Sequence, residues 1–241
     1  MKIRLACLLS AVACVSILAA AGCASSGPSQ GGPSGDPSLK GCWTFDEGAG
    51  ETAANSAGGN PGKVPSGLKW VDGRKGKALL FNGKDFVTVK HYATLNSPQY
   101  TFAAWTKLKK TDDHHYIVWK GGPEFPEAKS ARRYDLWTDT DGTVNGIVHD
   151  EKEGEERFSG GPGVADDQWH HVALTYDGKE IKLYIDGKSA GGASPSAPLA
   201  KSENDLWIGG RPGDVVATGV IDEVRYYDRA LTAAEVAALA R

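Results

Sequence analysis

The chain has 241 residues, a formal net charge of −3 at pH 7 and 24% charged residues. It carries no basic block, so it lacks the positive footprint that nucleic-acid binding needs, and that class is excluded. Seven Trp, eight Tyr and a single Met, with 31 Gly, suit a turn-rich β domain.

Lys2 and Arg4 open the chain. An apolar run from Leu5 to Ala21 follows, interrupted only by Ser10 and Ser16, and Ala20-Ala21-Gly22 lead directly into Cys23. A charged start, an apolar middle and a small-residue exit define a secretory signal, and the run is at the lower limit for a membrane span. Residues 1–22 are therefore expected to be removed. The segment resembles the lipobox of bacterial lipoproteins, although Ala20 stands where that family usually has Leu. The resemblance implies a diacylglyceryl thioether on Cys23 and an extracytoplasmic, lipid-anchored chain; the alternative is an ordinary cleaved signal with an incidental Cys23. Two or more acyl chains hold a protein stably on a bilayer. Ala24 replaces the Asp that often marks inner-membrane retention, which implies the outer membrane where the organism has one. Cys7 and Cys14 leave with the signal, so Cys42 is unpaired and the domain is expected to be free of disulfides.

Residues 23–38 are almost wholly small, polar, Gly or Pro. Such a stretch buries too little apolar surface to offset its ordering entropy, and it reads as a tether spanning roughly 20 Å on average. From Leu39 the chain turns to short strands. Leu39 to Phe45 alternates. Ala78–Gly83 and Asp85–Val89 read as a hairpin turned at Asn82-Gly83-Lys84. Tyr100–Leu108 and Tyr116–Trp119 are further strands. Tyr134–Thr138 turns at Asp141-Gly142 into Val144–His149, and Trp169–Tyr176 turns at Asp177-Gly178 into Ile181–Ile185. Residues 188–204 read as a polar connection, followed by Leu206–Ile208 and Val220–Tyr227. Thr232-Ala-Ala-Glu235 is a capping box that opens a short helix over Ala233–Ala240. Hairpins without intervening helices predict an all-β, antiparallel two-sheet sandwich over 39–241, with one C-terminal helix.

Together, WTFDEGAGETAANSAG (43–58), GKALLFNGKDFVTV (76–89), TFAAWTK (101–107), WHHVALTYDGKEIKLYIDGK (169–188) and GVIDEVRYYDRALTAAEVAAL (219–239) resemble the bacterial LamG-like, concanavalin A-like jelly-roll domain. The resemblance implies two curved sheets with the first and last strands adjacent. It does not imply one function, since the fold hosts carbohydrate binders, adhesion modules and appendages of hydrolases.

Alternation puts Asp222 in phase with Val220, Val224 and Tyr226, with Glu223 on the opposite face. A buried carboxylate must find donors or a metal. Asp222 is then either an acceptor for loop N–H groups or a Ca²⁺ ligand shared with Asp46 or Glu47, as in some relatives. Facing opposite ways, Asp222 and Glu223 cannot form a glycosidase pair. No metal-protease motif or nucleophile elbow is present. His170 reads as packed, His171 as facing the other way, and His114-His115 as a solvated loop. Trp105 and Trp137 each alternate away from their apolar neighbours, and Trp119, Arg132, Tyr134 and His149 are close by in sequence. These aromatics either stack on a sugar ring, with polar contacts from the loop at 120–135, or form a second buried layer. The expectation is a membrane-anchored, non-catalytic binding or adhesion module for a glycan. The alternatives are a cell-envelope protein scaffold and a polysaccharide hydrolase.

Overall fold

Phe102, Ala104 and Leu108 along one strand, and Val172, Leu174 and Tyr176 along the next, all point into one shared core. This period-two burial organises the molecule. The computed structural model describes residues 35–122, 133–214 and 216–241. Cys23, with the signal and most of the tether, lies outside them, as does Arg132.

In chain order the strands are β1 (Leu39–Trp43), β2 (Thr52–Ala53), β3 (Gly62–Lys63), β4 (Lys69–Asp72), β5 (Lys77–Asn82), β6 (Val87–Val89), β7 (Tyr100–Leu108) and β8 (His115–Lys120). Then follow β9 (Tyr134–Thr138), β10 (Val144–His149), β11 (Glu155–Gly160), β12 (His170–Tyr176), β13 (Ile181–Ile185), β14 (Lys188–Ala193), β15 (Leu206–Ile208) and β16 (Thr218–Tyr227). The helix α1 (Ala233–Leu239) comes last. Sheet 1 has the order β14-β13-β12-β7-β16-β5-β4, with β1 also paired to β16; sheet 2 has the order β11-β10-β9-β8-β15-β6-β3-β2. The predicted all-β, antiparallel two-sheet sandwich is the observed fold. Among the described residues no helix is long and apolar enough to cross a membrane.

Three sequence expectations are corrected. The segments 78–83 and 85–89 do not form a hairpin: β5 pairs with β4 and β16 in sheet 1, whereas β6 pairs with β3 and β15 in sheet 2. The Asn82-Gly83 turn is thus a crossing between sheets. Residues 188–204 hold a strand, β14, joined to β13 at Asp186-Gly187. Last, β16 is not a simple alternating strand. A bulge between Asp222 and Arg225, with Glu223 at φ 53°, inserts one residue opposite β7. The phase therefore switches: Ile221, Val224 and Tyr226 enter the core, while Asp222 and Arg225 point outward.

The same bulge divides one edge of β16 between two partners. Val220 and Ile221 pair with β5, whereas Val224 to Tyr227 pair with β1. The first and last strands are neighbours, as the resemblance implied. Arg229 fastens the two termini further. It donates to Asp36 (2.6 Å), Ser38 (2.9 Å) and Glu235 (2.7 and 3.0 Å). Beside this clasp, Leu231, Val236 and Leu239 cover Ala103, Ala173, Tyr184 and Tyr227 on the outer face of sheet 1.

Candidate functional site

The outer face of sheet 2 carries a cross-strand aromatic row. Along β8 the register slips between Tyr116 and Val118, so Ile117 and Val118 both enter the core and Tyr116 and Trp119 both stay outside. Trp207 lies directly opposite Trp119, and Trp137 opposite Tyr116. Tyr116, Trp119 and Trp207 form one cluster, with Phe86 and Trp137 packed against it. Tyr116 meets Trp119 edge-on at 5.4 Å and Trp137 at 6.1 Å between ring centroids. The Arg211 guanidinium, paired with Asp214, lies 4.9 Å from the Trp119 ring centroid and 5.7 Å from that of Tyr116. It therefore occupies the faces on which a sugar would otherwise stack.

Trp137, half-buried like Phe86, opens into a cleft of about 280 Å³ lined also by Asn145, Arg157 and Ser159. The polar groups there are fixed in advance. Asn145 donates to Asp139 (2.9 Å) and to the Thr143 carbonyl (3.0 Å), and Arg157 donates to Glu155 through Nε (2.6 Å). One half-exposed ring flanked by an amide, a guanidinium and a hydroxyl matches the demands of a sugar unit, an apolar face with hydroxyls at its rim.

The remaining predicted residues are not in this cleft. Trp119 belongs to the same row, beneath Arg211. Tyr134 points into the core, tilted against Tyr100 (4.8 Å) and stacked on Tyr226 (6.1 Å), and burial raises its pKa well above the ordinary phenol value. It is removed from the ligand-facing set. Trp105 sits on the opposite sheet, under Arg74 (4.6 Å) and edge-on to His171 (5.3 Å). His171, read as facing outward, does leave the core but is buried beneath this cover. Reasoning from sequence missed Tyr116, Trp207, Phe86, Arg211 and Arg157. The slip at Ile117-Val118 hid the first. The others lie on strands or loops that only the sheet order brings together.

Asp222 acts as the backbone acceptor foreseen as one of its two readings. It accepts N–H groups of Lys75 (3.0 Å) and Glu223 (2.7 Å). Asp46 accepts the N–H of Lys77 (2.8 Å), so the two carboxylates hold one turn, residues 73–76 between β4 and β5, from either side. The turn sits so close that a Cβ on Gly76 would lie 1.9 Å from Asp46 Oδ1. Glu47 is spent on the Ala54 N–H (2.7 Å). Among the described residues no group of three or more His, Cys, Asp or Glu is placed to hold a metal. The bulge also overturns the opposed faces predicted for Asp222 and Glu223. Glu223 pairs with the outward-pointing Arg225, on the same side as Asp222. Both acids are buried under the turn and its surroundings.

Fold and site together define a two-sheet antiparallel β-sandwich with an aromatic row on the outer face of sheet 2. The chain belongs to the concanavalin A-like lectin/glucanases superfamily, whose family model matches residues 81–237. No curated protein matches the sequence. Among solved structures, the binding domain of Paraclostridial Mosquitocidal Protein 1 superposes with a TM-score of 0.70 at 16% identity, over 84% of this chain and 52% of that one. The chain thus spans about half the length of that relative. Domain 4 of AbnA, an extracellular arabinanase of Geobacillus stearothermophilus solved with arabinotriose, gives 0.66 at 22% identity, over 84% of this chain and 98% of that one. A Trypanosoma rangeli sialidase gives 0.65 at 16% identity, over 85% and 32%.

Proposed function

We propose that this protein is a non-catalytic glycan-binding module held at a bacterial envelope by lipid on Cys23. The observation that carries the binding reading is the Trp137 cleft: a partly exposed ring with Asn145, Arg157 and Ser159 beside it, at the end of an aromatic row. Domain 4 of the arabinanase, solved with arabinotriose, matches almost end to end and supports a sugar as ligand. The burial of Asp222 and Glu223 beneath the 73–76 turn supports a non-catalytic role, because a glycosidase needs its acids flanking an open cleft. The signal-like residues 1–22 and the Gly/Ser/Pro-rich stretch behind Cys23 support presentation at a membrane surface.

Glycan-array binding by the purified domain is the deciding experiment. Trp137→Ala is expected to reduce affinity at least tenfold, equivalent to about 1.4 kcal/mol or more. Trp105→Ala, on the other sheet, is expected to leave affinity unchanged. Equal affinity in the Trp137 variant defeats the assignment of this cleft. Turnover of a polysaccharide restores the hydrolase alternative, and an envelope protein captured in place of glycan restores the scaffold. Metabolic labelling with a palmitate analogue, lost in Cys23→Ser, tests the anchor. Among the described residues, the carboxylates considered for calcium, Asp46, Glu47 and Asp222, already hold backbone N–H groups. EDTA followed by excess Ca²⁺ is therefore expected to leave the melting temperature unchanged, and a calcium-dependent rise would reinstate the ion.

A further inference from the structure

Loops at residues 96–98, 150–151, 177–178 and 198–201 contribute to a pocket of about 340 Å³, lined by Arg133, Lys201, Glu151, Asn96, Tyr176 and Pro198 among others. It shares no lining residue with the Trp137 cleft.

Arg133 is the unusual member. Only 2% of it is exposed. Its guanidinium donates to the carbonyls of Leu199 (3.2 Å), Ala200 (3.0 Å) and Ser97, so three carbonyls on two chain segments fix its orientation. Yet no carboxylate among the described residues pairs with it, and its Nε–H is buried without a partner. The hydroxyls of Tyr100 and Tyr134 are likewise buried and unpartnered, and the guanidinium carbon lies 5.7 Å from the Tyr100 ring centroid. Carbonyl dipoles orient a guanidinium but do not cancel its unit charge. Buried charges are ordinarily paired, and buried orphan donors ordinarily have a water or an ion beside them. At the mouth, Lys201 is exposed and makes no ion pair among the described residues. The hydrogen-bonding capacity left over at Arg133 is therefore that of a donor; Lys201 adds a second positive charge to the lining, against one lining carboxylate, Glu151, with Asp177 on a neighbouring loop.

We propose that this pocket is an anion site for a small ligand bearing an oxygen anion. Arg133 supplies the buried counter-charge, Lys201 guards the mouth, and Tyr176 with the flanking prolines contacts the ligand body. A sugar acid and an inorganic oxyanion both carry that chemistry. The proposal stands independently of the glycan reading.

Isothermal titration of the whole chain with sodium galacturonate, sodium sulfate and neutral galactose, at constant ionic strength, tests it. Saturable binding of either anion without binding of galactose supports the site. Galacturonate binding alone identifies a sugar acid; sulfate binding of equal or greater affinity identifies an inorganic oxyanion. Lys201→Glu, at an exposed position, is expected to weaken anion binding at least tenfold with little change in melting temperature, and Arg133→Met is expected to abolish it. Should Arg133→Met fail to fold, Lys201→Glu decides. Trp137→Ala must leave anion affinity intact, which separates failure here from failure of the glycan cleft. Absence of saturable anion binding, or anion affinity unchanged in Lys201→Glu, overturns the proposal.

Discussion

His171, Trp105 and Asp222 lie side by side on β12, β7 and β16. Both ionisable members prefer to be neutral, and burial is the leading cause in each. It pushes Asp222 up to about 7 and pulls His171 down to about 4, the latter aided by Arg225. Their effects on stability run in opposite directions. The contribution of Asp222 is complete below the free carboxyl value of about 3.9 and is lost as pH rises through about 7. That of His171 is complete above the free imidazole value of about 6.5 and is lost as pH falls through about 4. From about pH 6.5 down to about pH 4 the two oppose each other, and single substitutions separate them. Asp222→Asn is expected to lose stability on acidification across this window, and His171→Gln to gain it, each by on the order of 1–3 kcal/mol. Urea midpoints measured across the window decide, and parallel profiles for wild type and both variants would sink the idea. The sequence disclosed that Asp222 must find donors, because a carboxylate among apolar residues has few other options. It concealed the side on which that happens, because one bulged residue at Glu223 reverses the alternation beyond it. Trp137 was legible as outward-facing by simple period two. Tyr134 was legible as its opposite, but nothing in one strand says which side is core.

Of the local signatures, the capping box was read correctly and the Asn82-Gly83 hairpin signal was not. The helix α1 begins at Thr232, whose hydroxyl accepts the Glu235 N–H (3.3 Å) while the Glu235 carboxylate accepts the Thr232 N–H (2.8 Å). Thr232→Ala is expected to cost about 1 kcal/mol, a fall of about 2–4 °C in melting temperature for a domain of this size. No change on a calorimetric scan would mean that packing alone holds the helix. Edge strands were harder to read. Apart from Phe158, which enters the core, the residues of β11 and β14 are small or polar, since the edges of the two sheets come together there. A Cβ on Gly160 would lie 1.7 Å from the Ala190 carbonyl oxygen, and one on Gly191 2.5 Å from that of Ser159. Gly160→Ala is therefore expected to destabilise by about 1–3 kcal/mol through forced separation of the edges, against a negligible effect for an exposed control. Close approach between strands of different sheets leaves no period in either sequence, which is why both were missed.

At the scale of the molecule, one core carries the stability. Cys42 is the free, buried cysteine of the described residues. Reductant is accordingly expected to leave the melting temperature of the domain unchanged, and a drop would reveal a cross-link. The middle of sheet 1 is a different matter. Its hub is β16, which pairs with β7 along one edge and with β5 and β1 along the other. Removing residues 218–241 is expected to abolish cooperative unfolding altogether, as judged by the near-ultraviolet signal of the buried aromatics. The order of synthesis follows from this arrangement. The strand that sheet 1 needs most, β16, follows the fifteen other described strands in the chain, and β1 waits for it. Contacts so distant in sequence slow folding, and in a chain growing at about 5–20 residues per second sheet 1 stays open until β16 has been made. Under the export proposed above for this chain, that delay is an advantage: the same hub that fixes the finished sandwich keeps the nascent chain unfolded enough to be threaded across a membrane.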